Sequence, residues 1–303
     1  MKDFLSAFMK LSWLGWAQSG VALASKGPLP LEVLVAEVTG ETAPAFALSL
    51  GSPDRFRKVT AQVMRPTGEI LGYIKLPLTE GATERVRHEA ARLASLWGFA
   101  DLRRHIPRVL HAGEWGDSYI LFQSSGPAGS GPTEFGRAHE EFLLALRSAH
   151  QVEKPGSVLV EEAARSWRQL QPLLNSEWTE LGEKALERAR QALTGRKVSC
   201  GISHGDFAPW NTRMEDGRLF VYDWESAAWE APLEWDRIHF HVQVSSLLGR
   251  TNGWVGHFER TPKEKAVFLL YLLNSLRPIL KEGAALKYER AKFRKQLLAA
   301  VLR

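Results

Sequence analysis

Three side chains able to share one piece of chemistry stand close together in the 303-residue chain: Asp206, Asn211 five residues on, and Asp223 a further twelve on. They fall in the block Ser203–Ser226, SHGDFAPWNTRMEDGRLFVYDWES. Within it Glu215-Asp216-Gly217-Arg218 reads as a hairpin turn between apolar strands, with Leu219-Phe220-Val221-Tyr222 leading into Asp223. Asp206 and Asn211 then mark the two ends of a short loop, and the hairpin brings Asp223 back beside them. Phosphoryl transfer from ATP needs such a set. One carboxylate must orient an acceptor hydroxyl and take its proton, while an amide and a second carboxylate hold Mg²⁺ against the phosphates. Magnesium prefers oxygen ligands and few protein contacts, so Asn211 with Asp223 suffices. Each residue alone would read as an ordinary cap or turn; the combined spacing and hairpin context favour the shared chemistry.

The elements that must position this block differ on its two sides. Residues 45–123 read mostly as strands with one helix. Lys58–Met64 alternates Val59, Ala61 and Val63 against Thr60 and Gln62, the period of a half-buried strand. Pro66-Thr67-Gly68 supplies a turn and Ile70–Leu76 returns as the next strand. Thr83 is placed to cap a helix whose Val86, Ala90, Leu93 and Trp97 recur at helical spacing. Strands follow over Arg108–Ala112 and Tyr119–Gln123, joined through Gly113–Asp117. Ser124–Pro132 then contains only Ser, Gly, Pro and Ala and cannot build a core, so it is the clearest boundary in the chain. Beyond it helices are expected over Phe135–His150, Glu161–Leu174 and Glu177–Leu193, a strand–loop–strand block over Val198–Asp223, and helices to the end. The organisation expected is a first lobe over 1–123, including an N-terminal extension 1–44, a hinge at 124–132 and a second lobe over 133–303.

Composition is that of a globular protein, 45% hydrophobic and 24% charged. The single cysteine, Cys200, excludes an internal disulfide framework and a cysteine-based metal site. The net charge of +5 is concentrated at one end. Residues 281–303 hold seven basic side chains against two acidic ones, a surplus of five, which leaves the other 280 residues balanced at 32 against 32. Such a helical end reads first as a solvated face and second as a peripheral contact with an anionic membrane surface or partner; no nucleic-acid partner is expected. No apolar run reaches 18 residues, so no integral membrane span is expected. Leu11–Ala17 is apolar but flanked by Asp3 and Lys10 and interrupted by Gln18, Ser19 and Gly20, an amphipathic segment rather than a signal peptide. A reducing, cytoplasmic location is expected.

The His204-Gly205-Asp206 triplet with Asn211, followed by Asp223-Trp224-Glu225, resembles the HGD-x-x-x-x-N and D-[WF]-[ED] motifs of the aminoglycoside phosphotransferase and choline kinase superfamily, small-molecule relatives of protein kinases. The resemblance covers roughly residues 45–240. It implies an α+β, protein-kinase-like two-lobed fold, with a small antiparallel sheet and one helix in the N-lobe and a larger, mainly helical C-lobe. It implies Asp206 as catalytic base, Asn211 and Asp223 as metal ligands and His204 as a support of the loop. Upstream, Lys75 in Gly72-Tyr73-Ile74-Lys75 is placed to meet ATP phosphates and to be held by a helix carboxylate. Glu89 is the best candidate, because it borders the face marked by Val86 and Ala90; Glu84 is a poorer one.

Other positions fit the superfamily less well. Protein kinases carry G-x-G-x-x-G in the first lobe, but this chain offers Leu50-Gly51-Ser52-Pro53-Asp54-Arg55 with one glycine; backbone N–H groups near Gly51 and Ser52 are the candidates for phosphate contact. Phe122-Gln123-Ser124 is the positional candidate for the segment behind adenine. Trp210, Trp224, Trp229 and Trp235 cluster around the block, either to stack on an acceptor or simply to pack. Asp236 is read as an anchor of a helix or loop. The activity implied is transfer of the ATP γ-phosphate to a hydroxyl of a small molecule: a sugar, amino alcohol, glycan precursor or aminoglycoside-like compound. The alternative is a nucleotide-binding pseudokinase with a regulatory or scaffold role.

Overall fold

The computed structural model describes residues 27–248, 253–281 and 285–303. The amphipathic segment Leu11–Ala17 lies outside the described residues. The described residues form two compact units, one within residues 27–95 and 107–126, the other within 96–106 and 127–303.

The first unit is built on an antiparallel sheet of β1 (Ala45–Leu50), β2 (Lys58–Met64), β3 (Ile70–Pro77), β4 (Val109–Trp115) and β5 (Ser118–Ser124), in the order β1-β2-β3-β5-β4. β2 alternates as its sequence requires, with Val59, Ala61 and Val63 at 0% exposure. β4 runs three residues past the expected Ala112, because Trp115 pairs with Ser118 across a two-residue turn that puts Gly116 at φ +60°. A helix the sequence reading did not include, α1 (Pro30–Thr39), lies in the expected extension. Leu31, Leu34 and Val35 recur at one-turn spacing and join the core of β2, β3 and β5. Gly40, left-handed at φ +77°, ends the helix by donating to Ala36 O. α2 (Glu80–Leu96) starts earlier than Thr83 because Thr79 is the cap: its Oγ1 accepts from the Ala82 N–H at 3.2 Å.

The second unit holds a three-stranded sheet, β10-β7-β6, from β6 (Gln151–Pro155), β7 (Lys197–Ser203) and β10 (Ala228–Pro232), and a hairpin of β8 (Thr212–Glu215) and β9 (Arg218–Val221). Asp216 and Gly217 both have positive φ, as a tight hairpin turn needs. The helices are α3 (Arg137–Ala149), α4 (Gly156–Arg168), α5 (Ser176–Leu193), α6 (Trp235–Leu248), α7 (Pro262–Lys281) and α8 (Ala285–Val301). α4 begins five residues before the expected Glu161, with Gly156 pressed so closely on Leu193 that a Cβ would meet its carbonyl at 2.6 Å. Every side chain of α7 from Ala266 to Leu273 is buried, so this helix is the core of the unit and shows no polar face there.

Residues 96–106, expected in the first lobe, pack in the second unit. The reason is local to β9: Val221 N–H donates to His105 O at 2.7 Å, and His105 Nδ1 lies 2.6 Å from Leu219 O. The Ser124–Pro132 segment is likewise not a free hinge throughout. From Pro127 onward it belongs to the second unit, and a Cβ on Gly131 would stand 2.0 Å from Thr212 Oγ1. The basic C-terminal end is not simply a solvated face either. Arg294 is buried, and Lys295 pairs with Glu177 at 2.5 Å and lies 5.1 Å from the Trp178 ring. No helix among the described residues is long and apolar enough to cross a membrane.

Candidate active site

In the first unit, β3 presents Lys75 and α2 presents Glu89. Lys75 Nζ donates to both Glu89 oxygens, at 2.7 and 2.6 Å, and the two are 6% and 0% exposed. A bidentate, charge-assisted contact of this kind fixes a long, flexible side chain. The structure thus brings these two expected residues together. It treats the glycine-poor turn differently. Gly51 N–H is spent on Lys58 O at 2.9 Å, extending the β1–β2 ladder, so it is not an open donor for phosphate; Ser52 is exposed beside it. The turn packs on the start of α2, where Thr79 Oγ1 donates to Arg55 O at 2.6 Å and a Cβ on Gly81 would stand 2.7 Å from the same carbonyl. Phe122, Gln123 and Ser124 lie within β5, between β3 and β4. Ser124 N–H is committed to Arg108 O at 2.8 Å.

In the second unit Ser203, His204 and Gly205 lead out of β7 and are gripped by one carboxylate. Asp236, in the first turn of α6 and 3% exposed, accepts from Ser203 Oγ at 2.9 Å, His204 N–H at 2.7 Å and Gly205 N–H at 3.0 Å. Gly205 has φ +79°, and a Cβ there would meet Ser226 O at 2.3 Å, so both conformation and space demand glycine. His204 is fully buried. Its Nδ1 accepts from Asp206 N–H at 3.2 Å, which leaves Nε2–H to donate to Tyr222 O at 2.6 Å. One imidazole therefore ties the loop to Tyr222, which links the end of β9 to Asp223.

Asn211 closes the short helical turn Pro209–Asn211 and donates through Nδ2 to Asp206 O at 2.8 Å and Oδ2 at 2.9 Å. That use of the amino end turns the amide oxygen into the atom able to meet a cation. Asn211 O in turn accepts from Tyr222 N–H at 2.9 Å, which sets Asp223 one residue from the loop's end. Asp223 is left-handed, φ 63° and ψ 61°, a conformation costly for a residue with a Cβ and found where the surroundings impose it. Asp223 and Glu225 bring carboxylate oxygens within 4.8 Å of each other. Asn211 Oδ1 and these carboxylates are hard oxygen donors, a set that fits magnesium.

The tryptophans divide. Trp224 is buried with Nε1–H on Val221 O, Trp229 sits against Phe99 and His150, and Trp235 against Tyr271. Trp210 alone of the four is exposed. Sequence reasoning missed His239, whose Nε2 lies 3.0 Å from Asp206 Oδ1. Its signal was present in part, since Asp236, His239 and Gln243 form a polar stripe at i, i+3 and i+7 along α6. Burial holds two other histidines of this unit neutral, His139 and His241, each lowered to about 4. It also pushes the Cys200 thiol up to about 11, which makes it inert.

Residues 73–234, more than half of the chain, match the model of the phosphotransferase enzyme family known as APH, and the chain belongs to that family. Among curated proteins, none matches the sequence. Solved structures with the same fold include a thermostable mutant of aminoglycoside phosphotransferase APH(4)-Ia in its apo form, 15% identical, with a TM-score of 0.62 over 90% of this chain and 98% of that one. A further mutant form of the same protein, in ternary complex with ADP and hygromycin B, matches at 15% identity and a TM-score of 0.61, over 91% and 98%. Aminoglycoside 2'-phosphotransferase-IIIa in its GDP complex matches at 15% identity and 0.55, over 90% and 97%. The α+β, kinase-like fold with an antiparallel N-terminal sheet and a largely helical remainder is therefore established for this chain.

Proposed function

We propose that the protein transfers the γ-phosphate of ATP to a hydroxyl of a small molecule. The observation that carries this reading is the state of Asp206. Its carboxylate is partly exposed yet held at Oδ2 by Asn211 and at Oδ1 by His239, on a loop locked by Asp236. A fixed carboxylate open to an incoming hydroxyl is what a general base requires. The acceptor oxygen attacks the γ-phosphorus, the bond from that phosphorus to the bridging oxygen breaks, and ADP leaves with that electron pair. The acceptor's proton passes to Asp206. Asn211 and Asp223 are the residues to hold Mg²⁺, which would supply neutralising charge to the phosphates. Lys75, held by Glu89, orients the phosphate oxygens, and backbone groups past Ser124 meet the base edge.

The ADP and hygromycin B bound by a structural relative support a nucleotide and a hydroxyl-rich acceptor as the two substrates. Trp210 offers an exposed aromatic face for a sugar or cationic acceptor. ATP as donor and one buried, unreactive cysteine fit a cytoplasmic enzyme. The test is an ADP-release screen with Mg-ATP across sugars, amino alcohols, glycan precursors and aminoglycosides. Acceptor-dependent ADP with a phosphorylated product is the expected result. Mg-ATP binding with no ADP from any acceptor would instead favour a pseudokinase.

A further inference from the structure

Asp206 is reached from an unexpected side by a file of polar groups that none of the family's motifs contains. His239, on the second turn of α6, lies 3.0 Å from Asp206 Oδ1 through Nε2. Its Nδ1 lies 3.0 Å from the hydroxyl of Tyr271, on the otherwise apolar central stretch of α7, and the two rings meet edge to face at 6.0 Å and 89°. Behind Tyr271 stands the buried guanidinium of Arg294 from α8, hydrogen-bonded to the phenol and, through Nε, to Ser275 Oγ at 3.2 Å.

The directions of these bonds follow from chemistry. An ionised carboxylate only accepts, so His239 must present Nε2–H to Asp206. In the neutral ring Nδ1 then accepts, and the donor is the Tyr271 hydroxyl. Burial raises the Tyr271 pKa, so that proton is retained. A guanidinium only donates, so Arg294 feeds Tyr271. Every donor in the file points toward Asp206, an arrangement in which successive hydrogen bonds polarise one another. The Gln243 amide lies 2.9 Å from the same Nε2; with that nitrogen protonated it presents its oxygen there, which a half-turn of the amide supplies.

We infer that His239 is a positioning residue for the catalytic carboxylate, locked into its Nε2–H tautomer by Tyr271 and Arg294, so that Asp206 keeps one orientation toward the acceptor. The inference rests on Asp206 being the base of the reaction proposed above. A purely packing role would not require a defined tautomer. It would not distinguish His239→Gln, whose amide can still donate to Asp206, from His239→Ala.

The test joins nitrogen-15 NMR of the full-length protein with kinetics. In the wild type, His239 should show the Nε2–H tautomer, and Asp206→Asn should move its Nε2 resonance. Tyr271→Phe should shift the ring toward a mixture of tautomers. His239→Ala should lower kcat by about 10- to 100-fold, the scale of a misplaced catalytic group, while the KM for ATP stays near wild type; His239→Gln should recover part of the loss. An Nδ1–H tautomer in the wild type, a His239 signal indifferent to Asp206→Asn, or full turnover by a folded His239→Ala would overturn the inference. A wild type that makes no ADP from any acceptor removes the phosphotransfer reading and the catalytic role with it. The spectrum in that case still reports whether the contact exists, so the two failures are separable.

Discussion

The Asp236 carboxylate accepts from the backbone N–H of His204 at 2.7 Å, which ties the start of α6 to the start of the loop that carries Asp206. The same carboxylate takes the Ser203 hydroxyl and the Gly205 N–H, and it is buried while doing so. Asp236→Asn keeps the shape but replaces one acceptor oxygen by a donor facing an N–H. A buried N–H left without a partner costs about 1–3 kcal/mol, and hydrogen bonds to a charged group contribute about 1.5–3 kcal/mol. Urea denaturation should show a loss of about 2–4 kcal/mol. Turnover should fall with it, although the buried Asp236 acts only through the loop it holds. A variant as stable as wild type would show that the loop does not depend on this anchor.

Lys75 and Glu89 form a buried pair, and such pairs are more damaging to break than to replace. Lys75→Ala takes an ammonium away from a fully buried carboxylate and should destabilise the protein by about 3–5 kcal/mol. Adding Glu89→Gln should restore much of that loss. Neither change should restore nucleotide binding. In thermal shift, Mg-ATP should raise the Tm of the wild type and have little effect on either variant, because only a ligand that prefers the native state stabilises it. A wild-type shift in the double variant would take Lys75 out of the nucleotide site.

His139 and His241 give the fold a defined response to acid. Burial lowers both from 6.5 to about 4, and proximity of the two rings adds to the effect at His139. Well above pH 6.5 neither the folded nor the unfolded chain protonates them appreciably. Between 6.5 and about 4 the unfolded chain takes up protons that the folded one refuses, so stability falls as the pH falls. The Tm should therefore drop by several degrees from about pH 7 to about pH 5.5, before most carboxylates titrate. His139→Gln, which cannot protonate, should reduce that slope. An unchanged slope would place the acid sensitivity elsewhere.

What the sequence disclosed and what it withheld divide along the range of the interactions. The proximity of Asp206, Asn211 and Asp223 was legible because a loop and a hairpin of fixed length bring them together, so their spacing encodes their geometry. Lys75 and Glu89 were legible because a strand and the next helix each show their period. Tyr271 and Arg294 were not. They lie 32 and 55 residues beyond His239, on helices whose order in the core is set by packing, and no local pattern marks one phenol in a buried apolar run. The Gly51 turn was ambiguous for a related reason. A lone glycine is consistent with phosphate approach and with a ladder-closing turn, and only the Lys58 carbonyl decides. Residues 96–106 were assigned to the wrong side because chain order was followed, whereas two hydrogen bonds to β9 determine where they pack.

The two aspartates of the motif block should separate in their effects. Asp206 is proposed to accept the acceptor's proton, and Asn211 and His239 already hold its oxygens. Asp206→Asn preserves the shape but removes the basic oxygen pair, so Mg-ATP should bind as in the wild type while turnover falls by roughly 10²–10⁴-fold. Asp223 sits in a left-handed conformation at the end of the hairpin, with Glu225 close by. Asp223→Asn puts a neutral amide where a charged oxygen would meet a divalent ion, so nucleotide affinity that depends on Mg²⁺ should weaken along with turnover. Asparagine also tolerates left-handed backbone well, so this substitution tests charge rather than strain. Calorimetric titration of each variant with ATP, with and without Mg²⁺, measures the difference. Loss of the Mg²⁺ increment in Asp223→Asn and its retention in Asp206→Asn is the expected pair of results. Wild-type binding by both would show that Asp223 is not a metal ligand, and weakened binding in Asp206→Asn would show that this carboxylate serves the metal rather than the proton.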